Sequence, residues 1–159
     1  MTVDIIKILS SYGDSTVKRI QANLASTGTN ATGKTSQSIR YEVKQDGQNI
    51  TLTILGKKYI GVVETGRKAT PDYTKPSLEF VASIKEWVKA KGIPTDAYYA
   101  IAKSIHQHGT KLKQKGGRND IISNVINQGL IDEISKSILG TYSKLLVANV
   151  KEIYGISNK

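Results

Sequence analysis

SIRYEVKQDGQNITLTILGKKYIGVV, residues Ser38 to Val63, is the stretch on which the fold turns. Apolar and polar side chains alternate in Ile39–Val43, and they alternate again in Ile50–Ile54. A period of two puts successive side chains on opposite faces, as in a half-buried strand. Asp46-Gly47 lies between the two runs. It is a hairpin signal, because glycine accepts the positive φ of a tight turn. Gly56-Lys57-Lys58 reads as a second turn, leading into a third strand over Tyr59–Val63. The expectation is an antiparallel meander of three to four strands, one face packed on helices and the other wetter.

Outward from this stretch the period changes. Ile5, Leu9, Tyr12, Val17, Ile20 and Leu24 recur at helical spacing, so an amphipathic helix precedes the meander. Gly13-Asp14 is a point where it could bend or split. Ser26 to Thr35 is polar and reads as a loop. After the meander, residues 67–76 form a basic loop with two prolines. Ser77 then caps a helix carrying Phe80, Ile84, Trp87 and Val88 on one side, which Gly92 and Pro94 stop. Thr95 or Asp96 caps a shorter helix through Ile105, ending at Gly109. Residues 111–118 read as a second basic loop. A long helix over about Gly129–Ile153 closes the chain, with Ile131, Ile134, Ile138, Tyr142 and Leu145 as its buried stripe and a weak point at Gly140. No repeat or linker interrupts the pattern. The reading is one α+β domain over residues 1–159: N-terminal helix, meander, several helices and a long C-terminal helix.

Composition narrows the function. The 38% apolar and 23% charged residues match a soluble folded chain. No apolar run approaches the roughly 20 residues of a membrane span. Asp4 and Lys7 interrupt the first apolar residues, so no signal peptide is read and the expected place is the cytoplasm. The absence of cysteine removes disulfides, thiolate zinc sites and cysteine nucleophiles. The sequons at Asn30 and Asn49 carry no weight without secretion. A net charge of +10 favours phosphate backbones or acidic protein surfaces as partners, against the plainer reading of a solvated lysine-rich surface.

One segment imitates an active site. Gly28, Gly33, Lys34 and Thr35 fit the phosphate-loop pattern G-x-x-x-x-G-K-[ST]. A working loop needs a buried strand before it and a helix after it, so that the helix dipole meets the phosphates. Here a helix precedes it and a strand pattern follows, so the match is read as false and no nucleotide cofactor is expected. His106 and His108 stand only two apart and point to different sides of a helix, without further ligands for a metal. Glu64 ends the predicted third strand as a lone carboxylate with no partner base. Ser36 and Ser38 lack a His/Asp pattern. No enzyme is expected. Lys103, Lys111, Lys113, Lys115 and Arg118 follow one another with no acidic residue between, and can meet phosphates by charge alone. Without interleaved aromatics, a helix-turn-helix or a zinc pattern, base reading is not expected.

Several segments in order resemble a family. Thr32-Gly33 is followed by Ser38-Ile39; then come Tyr59-Ile60-Gly61-Val62-Val63-Glu64-Thr65-Gly66-Arg67, Ile84-Lys85-Glu86-Trp87-Val88 with Lys91-Gly92-Ile93, and Ala100-Ile101-Ala102-Lys103-Ser104-Ile105 with Gly109-Thr110. This set, from about Thr32 to Thr110, resembles the neck and tail-completion proteins of tailed bacteriophages (virion morphogenesis or tail-component proteins, of the lambda minor tail protein Z type). Two departures stand out. Lys111–Arg118 replaces the proline and aromatic residues that often follow the Gly-Thr, and the loop after Arg67 is long. The resemblance implies a structural virion protein of the head–tail junction. It would form a ring with itself, a hexamer or dodecamer, around the DNA channel and join portal-side connector to tail proteins. Its place would be the virion, and the host cytoplasm during assembly, with no membrane partner. Lys34, Arg67, Lys68, Lys111, Lys113, Lys115 and Arg118 are then candidate contacts to lumenal DNA or partners. The alternative is a non-specific nucleic-acid-binding module that uses the same basic loops.

Overall fold

The computed structural model describes residues 2–70 and 75–153, with side chains over 4–70 and 75–149. Helices predominate. Helix α1 (Thr2–Ser26) is followed by the single turn α2 (Lys34–Gln37), strands β1 (Arg40–Asp46) and β2 (Asn49–Leu55), and the turn α3 (Val62–Thr65). Helix α4 (Leu78–Ala90), a 3-10 turn (Thr95–Ala97), helix α5 (Tyr98–His108), the turn α6 (Lys111–Gln114) and the long helix α7 (Gln128–Ile153) complete the order.

Helix α1 organises the molecule. Leu9, Gly13, Thr16, Ile20 and Leu24 are buried at spacings of three and four residues, which lines them up along one side. Gly13 does not split the helix. It is where the β1–β2 hairpin crosses closest: a Cβ there would lie 2.5 Å from Cδ2 of Tyr41 and 3.0 Å from Cδ1 of Leu52. Gly13→Ala is therefore expected to cost about 1–2 kcal/mol net by overpacking, although alanine favours helix by up to about 1 kcal/mol. Urea unfolding measures this, and a stabilised variant would contradict the close crossing.

The hairpin pairs Arg40 with Leu55 through Asp46 with Asn49, closed by Gly47 at φ 59°. Ile50, Leu52 and Ile54 are half-buried while Thr51 and Thr53 are exposed, as the alternation demands. Ile39 enters the core with Ile20, Leu24, Ile121 and Val125.

The meander does not form. Among the described residues the sheet has two strands only. Beyond Gly56 the backbone coils: Ile60 N–H bonds Lys57 O (2.9 Å), Val62 N–H bonds Tyr59 O (2.9 Å) and Val63 N–H bonds Ile60 O (3.2 Å), running straight into α3. The cause lies in a five-residue apolar run that satisfies both periods. Ile60 and Val63, three apart, both pack on the core, whereas Tyr59 and Val62 stay exposed. A helical turn buries the right pair, so the predicted three- to four-stranded layer gives way to a mainly helical body with one hairpin.

The second half begins with an α4–α5 pair packed around buried Val88 and Ala102. The Ser77 hydroxyl accepts from Phe80 N–H (3.3 Å) and caps α4; Gly92 at φ 67° ends its turn. The predicted loop over residues 111–118 starts instead as α6, because the Thr110 hydroxyl accepts from Lys113 N–H (3.3 Å) and caps one turn. Of the loop predicted over 67–76, residues 71–74 lie outside the described residues. Residues 120–125 fold as turns whose Ile121 and Val125 seal the core under the end of α1, where Asn23 Nδ2 donates to Ile121 O (3.0 Å). Helix α7 leans on α1 through the Tyr12 hydroxyl, 2.7 Å from Ser137 Oγ. Its expected stripe is only partly covered: Ile134, Ile138 and Leu145 are half-buried, but Ile131 is 53% and Tyr142 38% exposed. Leu139, Leu146 and Val147 are exposed beside them. No described helix is long and apolar enough to cross a membrane.

Candidate functional site

The Gly28–Thr35 segment is a helix-to-strand connector. Helix α1 runs into it, and the one-turn α2 and then β1 follow. Gly33 takes φ 72° and the Gly28 carbonyl accepts from Lys91 Nζ (2.7 Å). Lys34 does not face the loop amides; its ammonium meets Glu86 at 2.6 Å on the surface and holds that carboxyl below its ordinary range. Thr35 gives its carbonyl to Ser38, whose hydroxyl in turn accepts from Lys57 N–H. The hydroxyl of Ser38 is thus used locally. His106 is buried and His108 exposed, and no group of three metal-ligating side chains gathers among the described residues.

The structure concentrates its unusual features elsewhere, where residues 64–70 lie against residues 106–123. Three glycines make this approach possible: Gly117, at φ 87°, would set a Cβ 2.8 Å from Glu64 O, and Gly66 and Gly109 come as close. Gly66 (φ 68°, ψ 167°) and Gly109 (φ 75°, ψ −179°) both occupy a backbone region essentially closed to side-chain-bearing residues. A Cβ on Gly66 would lie 2.5 Å from Lys113 N, and one on Gly109 2.8 Å from Arg67 O. With no side chains between them, the two backbones bond directly. Thr110 N–H donates to Arg67 O (3.0 Å), Thr70 N–H to His106 O (2.8 Å) and Arg118 N–H to Glu64 O (2.9 Å). Arg67 N–H donates to the Thr110 hydroxyl (3.0 Å), the same oxygen that caps α6.

Glu64 closes the far end. Its side chain is buried, and Oε1 accepts from the amides of Ile121 (2.9 Å), Ile122 (2.6 Å) and Ser123 (3.1 Å). Oε2 accepts from the Ser123 hydroxyl at 2.6 Å. Burial alone would push this carboxyl up. The Ser123 hydroxyl and the amides of Ile122, Ser123 and Ile121 outweigh it and hold the group below its ordinary value, as hydrogen bonds to a charged form do. Chemically this is a clasp. Each bond it makes favours the ionised carboxylate and ties it to residues 121–123.

The predicted contact residues separate into two groups. Lys34 is paired with Glu86, Arg67 lays its guanidinium 3.7 Å from the centre of the Phe80 ring, and Arg118 grips Asp120 with Nε and a terminal nitrogen at 2.5 and 2.7 Å. Hydrogen bonding to Asp120 raises the Arg118 guanidinium and lowers the carboxyl in return. Lys68, Lys111, Lys113 and Lys115 are exposed, and none forms an ion pair among the described residues. The fold gathers these four around the Gly66–Gly109 approach. Sequence reading left residues 119–127 unassigned and so missed what Glu64 binds; the apolar spacing of Ile121, Ile122 and Val125 was the available signal.

Comparison with family models, curated proteins and solved structures finds no match to this chain.

Proposed function

We propose that the chain is a structural protein of a tailed-phage head–tail junction, joining connector to tail as a ring of identical copies. The observation that supports this reading is the meeting of two separated motifs. Glu64-Thr65-Gly66-Arg67 and Gly109-Thr110 carry the family resemblance in the sequence, and they form one bonded unit in the fold. Each motif residue has a mechanical part there: Glu64 clasps, the glycines permit approach, and Thr110 bonds Arg67 and caps α6. A segment built to lock backbone against backbone suits a protein whose task is to hold a shape under load, and none of these groups is poised for chemistry.

Deletion of the gene from the phage that carries it tests the reading. DNA-filled heads and free tails that fail to join are the expected products, restored by supplying the protein in trans. Purified virions in which the protein is undetectable by mass spectrometry would overturn it.

A further inference from the structure

We infer that the lysines gathered about the Gly66–Gly109 approach, Lys111 and Lys115 on one side of α6 with Lys113 and Lys68 beside it, bind the phosphodiester backbone of duplex DNA without reading its sequence. The first ground is uncompensated charge. No acidic residue lies between Asp96 and Asp120. Two carboxylates at this approach are both engaged: Glu64 is buried under three amides and a hydroxyl, and Asp120 is held by Arg118. Among the described residues no ion pair therefore competes with an external anion for these lysines.

The second ground is rigidity and spacing. Lys111 and Lys115 are one helical turn apart, tied by the bond from Lys115 N–H to Lys111 O (3.0 Å). Lys113 and Lys68 are fixed by the close approaches at Gly66 and Gly109. These cations sit on an anchored backbone rather than on a free loop, so less ordering entropy is lost on contact.

The third ground separates DNA from an acidic protein. The exposed side chains from Lys103 to Lys115 are lysine, serine, glutamine and histidine. A protein interface is depleted in lysine and needs a buried aromatic or aliphatic anchor, which this surface lacks. Backbone contact to DNA needs cationic donors only. Single strands bind through stacked aromatics, and none is exposed over this stretch, which favours the duplex. The contact needs only this charge pattern, so it stands or falls apart from the head–tail role.

The test measures binding of the purified full chain to a fluorescent random-sequence duplex across a salt series. Four phosphate contacts give a slope of log affinity against log salt of about −3.6, or roughly a 100-fold loss between about 50 and 200 mM salt. The Lys68/Lys111/Lys113/Lys115→Gln protein should lose nearly all of that slope and bind at least about 100-fold more weakly at the lower salt. A second variant, with Lys7, Lys58, Lys89 and Lys144 changed to Gln, removes the same charge from α1, the loop after β2, α4 and α7. It should bind within about threefold of the parent, since distant exposed charges are screened. Circular dichroism confirms that both variants are folded. Equal losses in the two variants, no binding by the parent at low salt, or tighter binding of a polyglutamate peptide than of the duplex would each overturn the proposal.

Discussion

Glu64→Ala should lower the unfolding free energy by about 3 kcal/mol or more at neutral pH. The substitution leaves the amides of Ile121, Ile122 and Ser123 without their acceptor. Unsatisfied buried donors cost about 1–3 kcal/mol each, and bonds to an ionised acceptor are the stronger kind. The same exchange should flatten the acid limb of the stability curve. The folded state holds this carboxyl below its ordinary value of 4.5, so its contribution is present in full above that value and is lost as pH falls through the lower, folded one. Parent and variant therefore converge in stability as pH drops from about 5 toward 3. Urea unfolding across that range measures the effect. If the gap between the two proteins stays constant with pH, Glu64 is not bound as an anion and the clasp is misread.

Gly66→Ala and Gly109→Ala should each cost about 3 kcal/mol or more. Two penalties add at each position. The backbone conformation costs a side-chain-bearing residue about 1–3 kcal/mol. The new Cβ would also press on backbone atoms, Lys113 N at 2.5 Å in one case and Arg67 O at 2.8 Å in the other, which cannot swing aside as a side chain can. Because the two glycines form one contact, the double variant should lose clearly less than the sum of the singles. Gly61→Ala and Gly140→Ala serve as references, since a Cβ at either meets nothing within 4 Å. Thermal unfolding of the five proteins decides the matter. A Gly66→Ala protein as stable as the reference variants would show that the two backbones do not approach this closely.

Helix ends were the most legible part of the sequence. Ser77 as a cap and Gly92 as a stop act locally, through bonds within one turn, so local chemistry reveals them. The hairpin was legible for the same reason: Asp46-Gly47 and two alternating runs specify a register without help from elsewhere. Tyr59–Val63 was not. Its apolar residues fit a strand and a helical turn equally, and the choice is made by Ile121 and Val125, which complete the core from far along the chain. The helix before Gly28–Thr35 and the strand after it were legible because both patterns are local, whereas the single turn α2 between them was not. What Glu64 does could not be read, because three of its donors are backbone amides 57 to 59 residues away, which carry no side-chain signature, and the fourth is the hydroxyl of Ser123. The lysines were visible as a run, but that Lys34, Arg67 and Arg118 are engaged within the fold became clear only from Glu86, Phe80 and Asp120 in place.

The lateness of Ile121 and Val125 matters for biosynthesis. Chains emerge from the ribosome N-terminus first. Until residues 121–125 appear, Ile20, Leu24 and Ile39 have no lid, Glu64 has no amides to hold, and Asn23 waits for a partner 98 positions downstream. A nascent chain stopped after α5 should therefore remain open and sensitive to protease, and one stopped a few residues beyond Val125 should become resistant in a single step. The closing act of folding belongs to a short turn segment, and a truncation before it would leave a chain whose core has never been shut.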